Sequence, residues 1–195
     1  MLLAIYLFTV LTPMGQRLTN ATVLLIEVSP EQEARLSQLL LYLTPGVVLV
    51  MAAVIGCIGW RRGRVRMGIS LGAGLVVGLG SAEILKAVLP RPDLATLTNA
   101  IVGEGDSLPS GTAVICTSFV IGLTLISAPR WRPLIAWVGG AIAVVIMLAA
   151  FLADWHRIPD LLAGAALSVG VMVTAWWAGG GGILDSRGGR PPARV

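Results

Sequence analysis

The single histidine of the chain, His156, lies in Asp154-Trp155-His156-Arg157-Ile158-Pro159-Asp160, with an aspartate four residues after it. Residues at i and i+4 meet on one face of a helical turn, where a carboxylate fixes the imidazole tautomer and leaves the other ring nitrogen free to act. Such a pair equips a nucleophile or a base. The same residues also suit a structural role, because Trp, His and Arg at the mouth of an apolar segment anchor a helix at the lipid headgroups. A second set of residues suits an anion. Lys86 and Arg91 stand five residues apart, and Pro109-Ser110-Gly111 reads as a turn that opens a helix. Cations, backbone N–H groups and the positive ends of helix dipoles make a cradle whose natural guest is phosphate. Each piece has a bland reading as well. Lys86 can snorkel or pair with Glu83, Arg91-Pro92 can stop a helix, and the Pro-Ser-Gly turn can be a plain N-cap.

The elements that position these residues follow from composition. With 56% hydrophobic and 12% charged residues and a mean hydropathy of +0.87, the chain is too apolar for a soluble domain. Runs of about 20 apolar residues, without the alternation of a barrel, indicate an all-α polytopic membrane bundle. The 24 glycines favour close helix approach in lipid. Cys57 and Cys116 lie inside apolar runs without metal-type spacing and read as packing residues, neither a disulfide nor a metal site. The net charge of +4 is no nucleic-acid signal here. Its arginines crowd three places, Arg61 to Arg66, Arg130 with Arg132, and the tail, as short cytoplasmic loops do.

About six spans are expected. Met1 to Leu11 lacks a basic n-region and reads as a first, short span rather than a signal peptide. Residues 18 to 35 read as an extracytoplasmic connection with an interfacial helix. Leu36 to Trp60 forms the second span, kinked at Pro45-Gly46. Met67 to Leu89, Thr112 to Ala128, Leu134 to Ala153 and Pro159 to about Ala178 follow. This places both termini in the cytoplasm, residues 1–178 in one membrane domain, and 179–195 in a flexible Gly/Pro/Arg tail. Lys86, Arg91, Ser110, Gly111, His156 and Asp160 then all fall at outer helix ends. The charged groups gather at one surface, and no ionisable chain crosses the midplane, so a transporter or channel fits less well.

In order, spacing and topology, Lys86-Ala87-Val88-Leu89-Pro90-Arg91-Pro92, Ser107-Leu108-Pro109-Ser110-Gly111 and His156-Arg157-Ile158-Pro159-Asp160 resemble the three signatures of the type 2 phosphatidic acid phosphatase superfamily. The flanks Thr12 to Gln16 and Trp155 to Arg157 resemble its actinobacterial members. The resemblance implies hydrolysis of a lipid phosphate or diphosphate, polyprenyl or glycerolipid, at the outer face of a bacterial plasma membrane, with no metal and no cofactor. His156 would attack phosphorus and form a phosphohistidine, and Asp160 would hold its other nitrogen. Lys86, Arg91, Ser110 and the N–H of Gly111 would clamp the phosphate oxygens.

Two departures bear on activity. Thr112 stands where the family has the histidine that protonates the leaving oxygen, and a hydroxyl is too weak an acid to replace it. Ala149 and Ala150 stand where the family has Ser-Arg, which removes one phosphate ligand; Arg157 could supply part of that charge. Asp154, Glu104 and Asp106 are the carboxylates considered as substitute acids. A diphosphate, whose leaving group needs little protonation, would tolerate the loss better than a monoester. A second reading therefore stands beside the enzyme: a degenerate member that binds a lipid phosphate, or supports a membrane protein partner or a second copy of itself, without turnover.

Overall fold

Proline and small polar caps punctuate the chain. The computed structural model describes residues 1–24, 28–89 and 108–181, and no strand occurs among them. The helices are α1 Leu2–Thr9, α2 Pro13–Leu24, α3 Pro30–Leu40, α4 Pro45–Arg61, α5 Val65–Val88, α6 Gly111–Ile126, α7 Arg132–Leu152 and α8 Ile158–Ala178, with a 3-10 turn at Pro129–Trp131 before α7. Pro13, Pro30, Pro45, Pro133 and Pro159 all occupy first turns, where the missing N–H costs nothing and the fixed φ suits the helix. Ser29 and Gln32 close a capping box at α3, and Thr44 caps α4 through the Val47 N–H.

Three stretches are long and apolar enough to cross a membrane: Val65–Val88, Pro129–Leu152 and Ile158–Ala178. The pair α3 and α4 makes a fourth if counted as one bent span, and the 16-residue α6 is apolar but shorter. The kink expected at Pro45-Gly46 is a full break, with the two helices inclined by 49°. The first expected span differs more. Residues 1–11 form a helix of eight residues, about 12 Å long, which is under half of a hydrocarbon core. The turn at Val10 and Leu11 and the proline at position 13 end it there, and α2 starts afresh at Pro13. The second span is expected from Leu36, but its helix starts at Pro30, where Pro30 and the Ser29 cap open it, and the expected connection over 18–35 is largely helical; from α5 onward the boundaries fall within about two residues of expectation. Of the expected tail, residues 182–195 lie outside the described residues.

Helices α4, α5, α6 and α8 meet around Ile55, Leu71, Leu75, Ile115, Ile126 and Met172. Helix α7 stands at the edge, with Trp137, Val145 and Leu148 exposed on its outer side. A lipid-facing exterior gives no hydrophobic drive to helix pairing, so close packing of small residues decides the contacts. The clearest case is Gly59 of α4 against Gly68 of α5, where a Cβ on Gly59 would lie 2.7 Å from the Gly68 Cα. The short α1 lays Tyr6 and Val10 on Ala163 of α8 and on Leu108. Helix α3 packs Leu40 against Ala150, Phe151 and Ala153.

The bundle has a definite polarity. Helices α6 and α8 lie parallel, as the pairing of Ser110 with Asp160 and of Val114 with Ser168 requires. Their C-terminal carbonyls are served by arginines at one end: Arg132 donates to Leu125 and Ser127, and Arg66 to Ala178. Their N-termini lie together at the other end.

Gly59→Ala should lower stability by about 1–3 kcal/mol through overpacking, whereas Gly56→Ala, which meets nothing within 4 Å, should be close to neutral. Denaturation midpoints in detergent micelles check this. Equal midpoints would place α4 and α5 farther apart than described.

Candidate functional site

The end that carries the two helix N-termini is built by a reversal of the chain between α7 and α8. Helix α7 closes with Asp154 in the left-handed region at φ 53. The Asp154 N–H donates to the Phe151 carbonyl and the Trp155 N–H to the Ala150 carbonyl, both at 3.1 Å. This is a Schellman ending with aspartate in the place glycine usually takes, a substitution that a short polar side chain tolerates. The His156 N–H also reaches the Ala150 carbonyl, at 3.3 Å. Trp155 Nε1 donates to Ser37 Oγ at 3.1 Å, which ties the reversal to α3. His156 therefore leaves the turn at a set height, half-buried, just before Arg157, the N-cap of α8.

Asp160 sits in the first turn of α8, fully buried. Its Oδ2 accepts the Arg157 N–H at 2.9 Å, which is the carboxylate half of a capping box. A buried carboxylate at that position is stabilised by the helix dipole and by the N–H it satisfies. Asp160 thus has a structural duty in addition to any service to the imidazole.

The second wall is the Pro-Ser-Gly turn. Ser110 is fully buried and caps α6, its Oγ accepting the Ala113 N–H at 3.2 Å. The Ser110 N–H donates to the Asp160 carbonyl at 3.0 Å, so the two helix starts are bonded to each other. Gly164 makes room for this. A Cβ there would lie 2.5 Å from the Ser110 carbonyl oxygen and 2.9 Å from the Ala113 Cβ. One turn deeper, the Ser168 hydroxyl lies 2.9 Å from the Gly164 carbonyl and 3.1 Å from that of Val114. The Gly111 and Thr112 N–H groups at the opening of α6 have no partner among the described residues, as the first donors of a helix commonly do not.

The C-terminal end of α5 supplies the third wall. Lys86 Nζ pairs with Glu83 Oε1 at 2.7 Å. Both groups lie against Gly111, since a Cβ there would be 3.4 Å from Glu83 Oε1 and 3.8 Å from Lys86 Nζ. Lys86, Ser110, Gly111, His156, Arg157 and Asp160 therefore stand at one end of the bundle, drawn from α5, α6 and the α7–α8 turn. Arg91, Glu104 and Asp106 lie outside the described residues. Asp154 is exposed, and no side-chain hydrogen bond or ion pair of it occurs among the described residues.

The two departures have a clear setting. Thr112 is 8% exposed, and its hydroxyl makes no hydrogen bond among the described residues. Ala150 is fully buried in an apolar cluster with Ala113, Phe151 and Leu161, directly beneath the reversal. A guanidinium there would have to leave that cluster to reach an anion. Reading the sequence treated Glu83 only as a partner for Lys86. Its contact with the start of α6 comes from chain segments 28 residues apart, Glu83 and Gly111, and spacing along one helix carries no trace of it.

Residues 65–181 match the PAP2 superfamily. No curated protein matches the chain. Among solved structures, the fold is similar to the first transmembrane PAP2-type phosphatidylglycerolphosphate phosphatase from Bacillus subtilis, with a TM-score of 0.60 at 18% identity, covering 97% of this chain and 98% of that one.

Asp160→Ala should cost about 1–2 kcal/mol of stability by removing the cap, while Asp160→Asn, which keeps an acceptor oxygen, should lose clearly less. Thermal unfolding of the purified variants compares them. An equal loss would mean that the charge, not the cap, holds the start of α8.

Proposed function

The chain belongs to the PAP2 superfamily, and from that premise we propose that it hydrolyses a lipid phosphate or diphosphate through a phosphohistidine at the extracytoplasmic face of a bacterial plasma membrane. The observation that carries this reading is the bond between the Ser110 N–H and the Asp160 carbonyl. It sets two helix N-termini side by side, next to Lys86 and four residues from the only imidazole of the chain. Positive dipole ends and an ammonium group hold phosphate oxygens and gain strength as charge develops on them. His156 attacks phosphorus, Asp160 steadies the imidazolium that forms, and water then releases phosphate. Arg91 and Arg157 complete the clamp.

The arrangement of charge supports the orientation. Arg61, Arg62, Arg64 and Arg66 at the α4–α5 turn, with Arg130 and Arg132 before α7, lie at the end opposite Lys86, and such clusters stay in the cytoplasm. In this reading residues 1–178 form one membrane domain, and the end of α8 faces the cytoplasm. A lipid tail has a place to lie: an apolar groove of about 470 Å³ between α6 and α7, lined by Phe119, Val120, Leu134, Val138, Ile142 and Ile146. A glycerolipid phosphate of the kind named for the Bacillus subtilis neighbour and a polyprenyl phosphate or diphosphate both fit that chemistry.

The threonine at position 112 and the buried Ala150 favour a second reading, in which the site binds a lipid phosphate, or a partner in the membrane, without turnover. Phosphate release from purified protein in lipid nanodiscs separates the two. Hydrolysis is expected with lipid monophosphate and diphosphate substrates, and His156→Ala should reduce it by at least about a thousandfold, the scale of losing a covalent nucleophile. A wild type as inert as His156→Ala, but with lipid-phosphate binding weakened by Arg91→Ala, would replace hydrolysis with binding alone.

A further inference from the structure

We propose that Glu83 is the proton donor to the leaving oxygen, the task that Thr112 leaves vacant. This rests on the hydrolase reading and deepens it. Among the described residues, three carboxylates stand at the ends of the helices that form the site. Asp160 is fully buried and committed to the α8 cap. Asp154 is exposed on the reversal after α7. Glu83 is the one that abuts the first turn of α6, with Oε1 3.4 Å from where a Gly111 side chain would begin. Its side chain is 58% exposed, so solvent can return a proton to it, and the residue that follows Gly111 is Thr112.

The same contact ties Glu83 to the cation of the cradle. Without substrate its carboxylate is held by Lys86 at 2.7 Å, beside Gly111, whose N–H has no partner among the described residues. A phosphate in the cradle takes over Lys86 and places negative charge next to the carboxylate. A substrate arriving as the monoanion brings the proton with it.

The step then balances. A nitrogen of His156 forms the bond to phosphorus, the bond from phosphorus to the leaving oxygen breaks with its electron pair, and the Glu83 proton passes to that oxygen. In the second half the Glu83 carboxylate takes a proton from the water that attacks phosphorus, and the bond from phosphorus to nitrogen breaks with its electron pair returning to His156. Inorganic phosphate and the dephosphorylated lipid leave, and the acid is restored. The consequence for specificity is that alcohols, and not only phosphate, can depart from this site.

The test compares leaving groups. Wild type, Glu83→Gln and His156→Ala are assayed in nanodiscs with phosphatidic acid, whose leaving group is an alcohol, and with a prenyl diphosphate, whose leaving group is phosphate. Glutamine keeps an oxygen that accepts from Lys86, so folding and the cradle are preserved. Glu83→Gln should slow phosphatidic acid hydrolysis by about a hundredfold or more and diphosphate hydrolysis by less than about fivefold. An equal loss on both substrates would overturn the proposal and make Glu83 a positioning residue for Lys86. No loss on either, with wild type active, would overturn the role of Glu83 alone. A wild type no faster than His156→Ala on both would remove the hydrolase reading and this inference with it.

Discussion

The structure depends on how closely α6 and α8 approach. Two parallel helices place like dipole ends side by side, which is unfavourable unless something neutralises them. At one end, arginines donate to the terminal carbonyls of both helices. At the other end Asp160 lies buried in the first turn of α8, and the Ser110 N–H is paired with the Asp160 carbonyl. The Gly111 and Thr112 N–H groups that open α6 have no partner there among the described residues, and donors of this kind suit an anion. The site is thus a by-product of helix packing at close range, and Gly164 permits that range because any side chain would strike the Ser110 carbonyl.

Lipid as a solvent explains why so much rests on small residues. Apolar side chains gain little by turning inward when the surroundings are equally apolar, and large ones such as Trp137 and Val145 stay on the outside. Backbone contact then sets the geometry, through Gly59 with Gly68 at one end and Gly164 with Ser110 at the other. Inside the bundle the Ser168 hydroxyl returns to the Gly164 and Val114 carbonyls. Rigid ends follow, and they hold His156 and the Pro-Ser-Gly turn at fixed heights.

Thr112 and Ala150 sit in this frame without disturbing it. Ala150 and Ala113 fit against each other in an apolar cluster under the chain reversal, and Thr112 is accommodated in the first turn of α6. The frame is held by backbone bonds and caps that do not involve the side chains of positions 112 and 150. The fold therefore leaves positions 112 and 150 free to vary, and Glu83 of α5 stands against Gly111 beside the first of them.

Much of this was legible in the residues themselves. Apolar runs, prolines at helix starts and arginine clusters determine the membrane class, the helical elements from α4 onward and which residues share an end, because each is a local property of composition or spacing. His156 with Asp160, and Lys86 ahead of the Pro-Ser-Gly turn, could be singled out for the same reason. The short α1 and the 49° break before α4 were less legible, since hydrophobicity reports what a segment prefers and not where its backbone is stopped. Only the tertiary structure decided that Asp160 caps its own helix, that Ser110 bonds to it across 50 residues, and that Glu83 reaches Gly111. Those contacts join segments far apart along the chain, and their distances are set by how near two helices can come, a quantity that no single helix encodes.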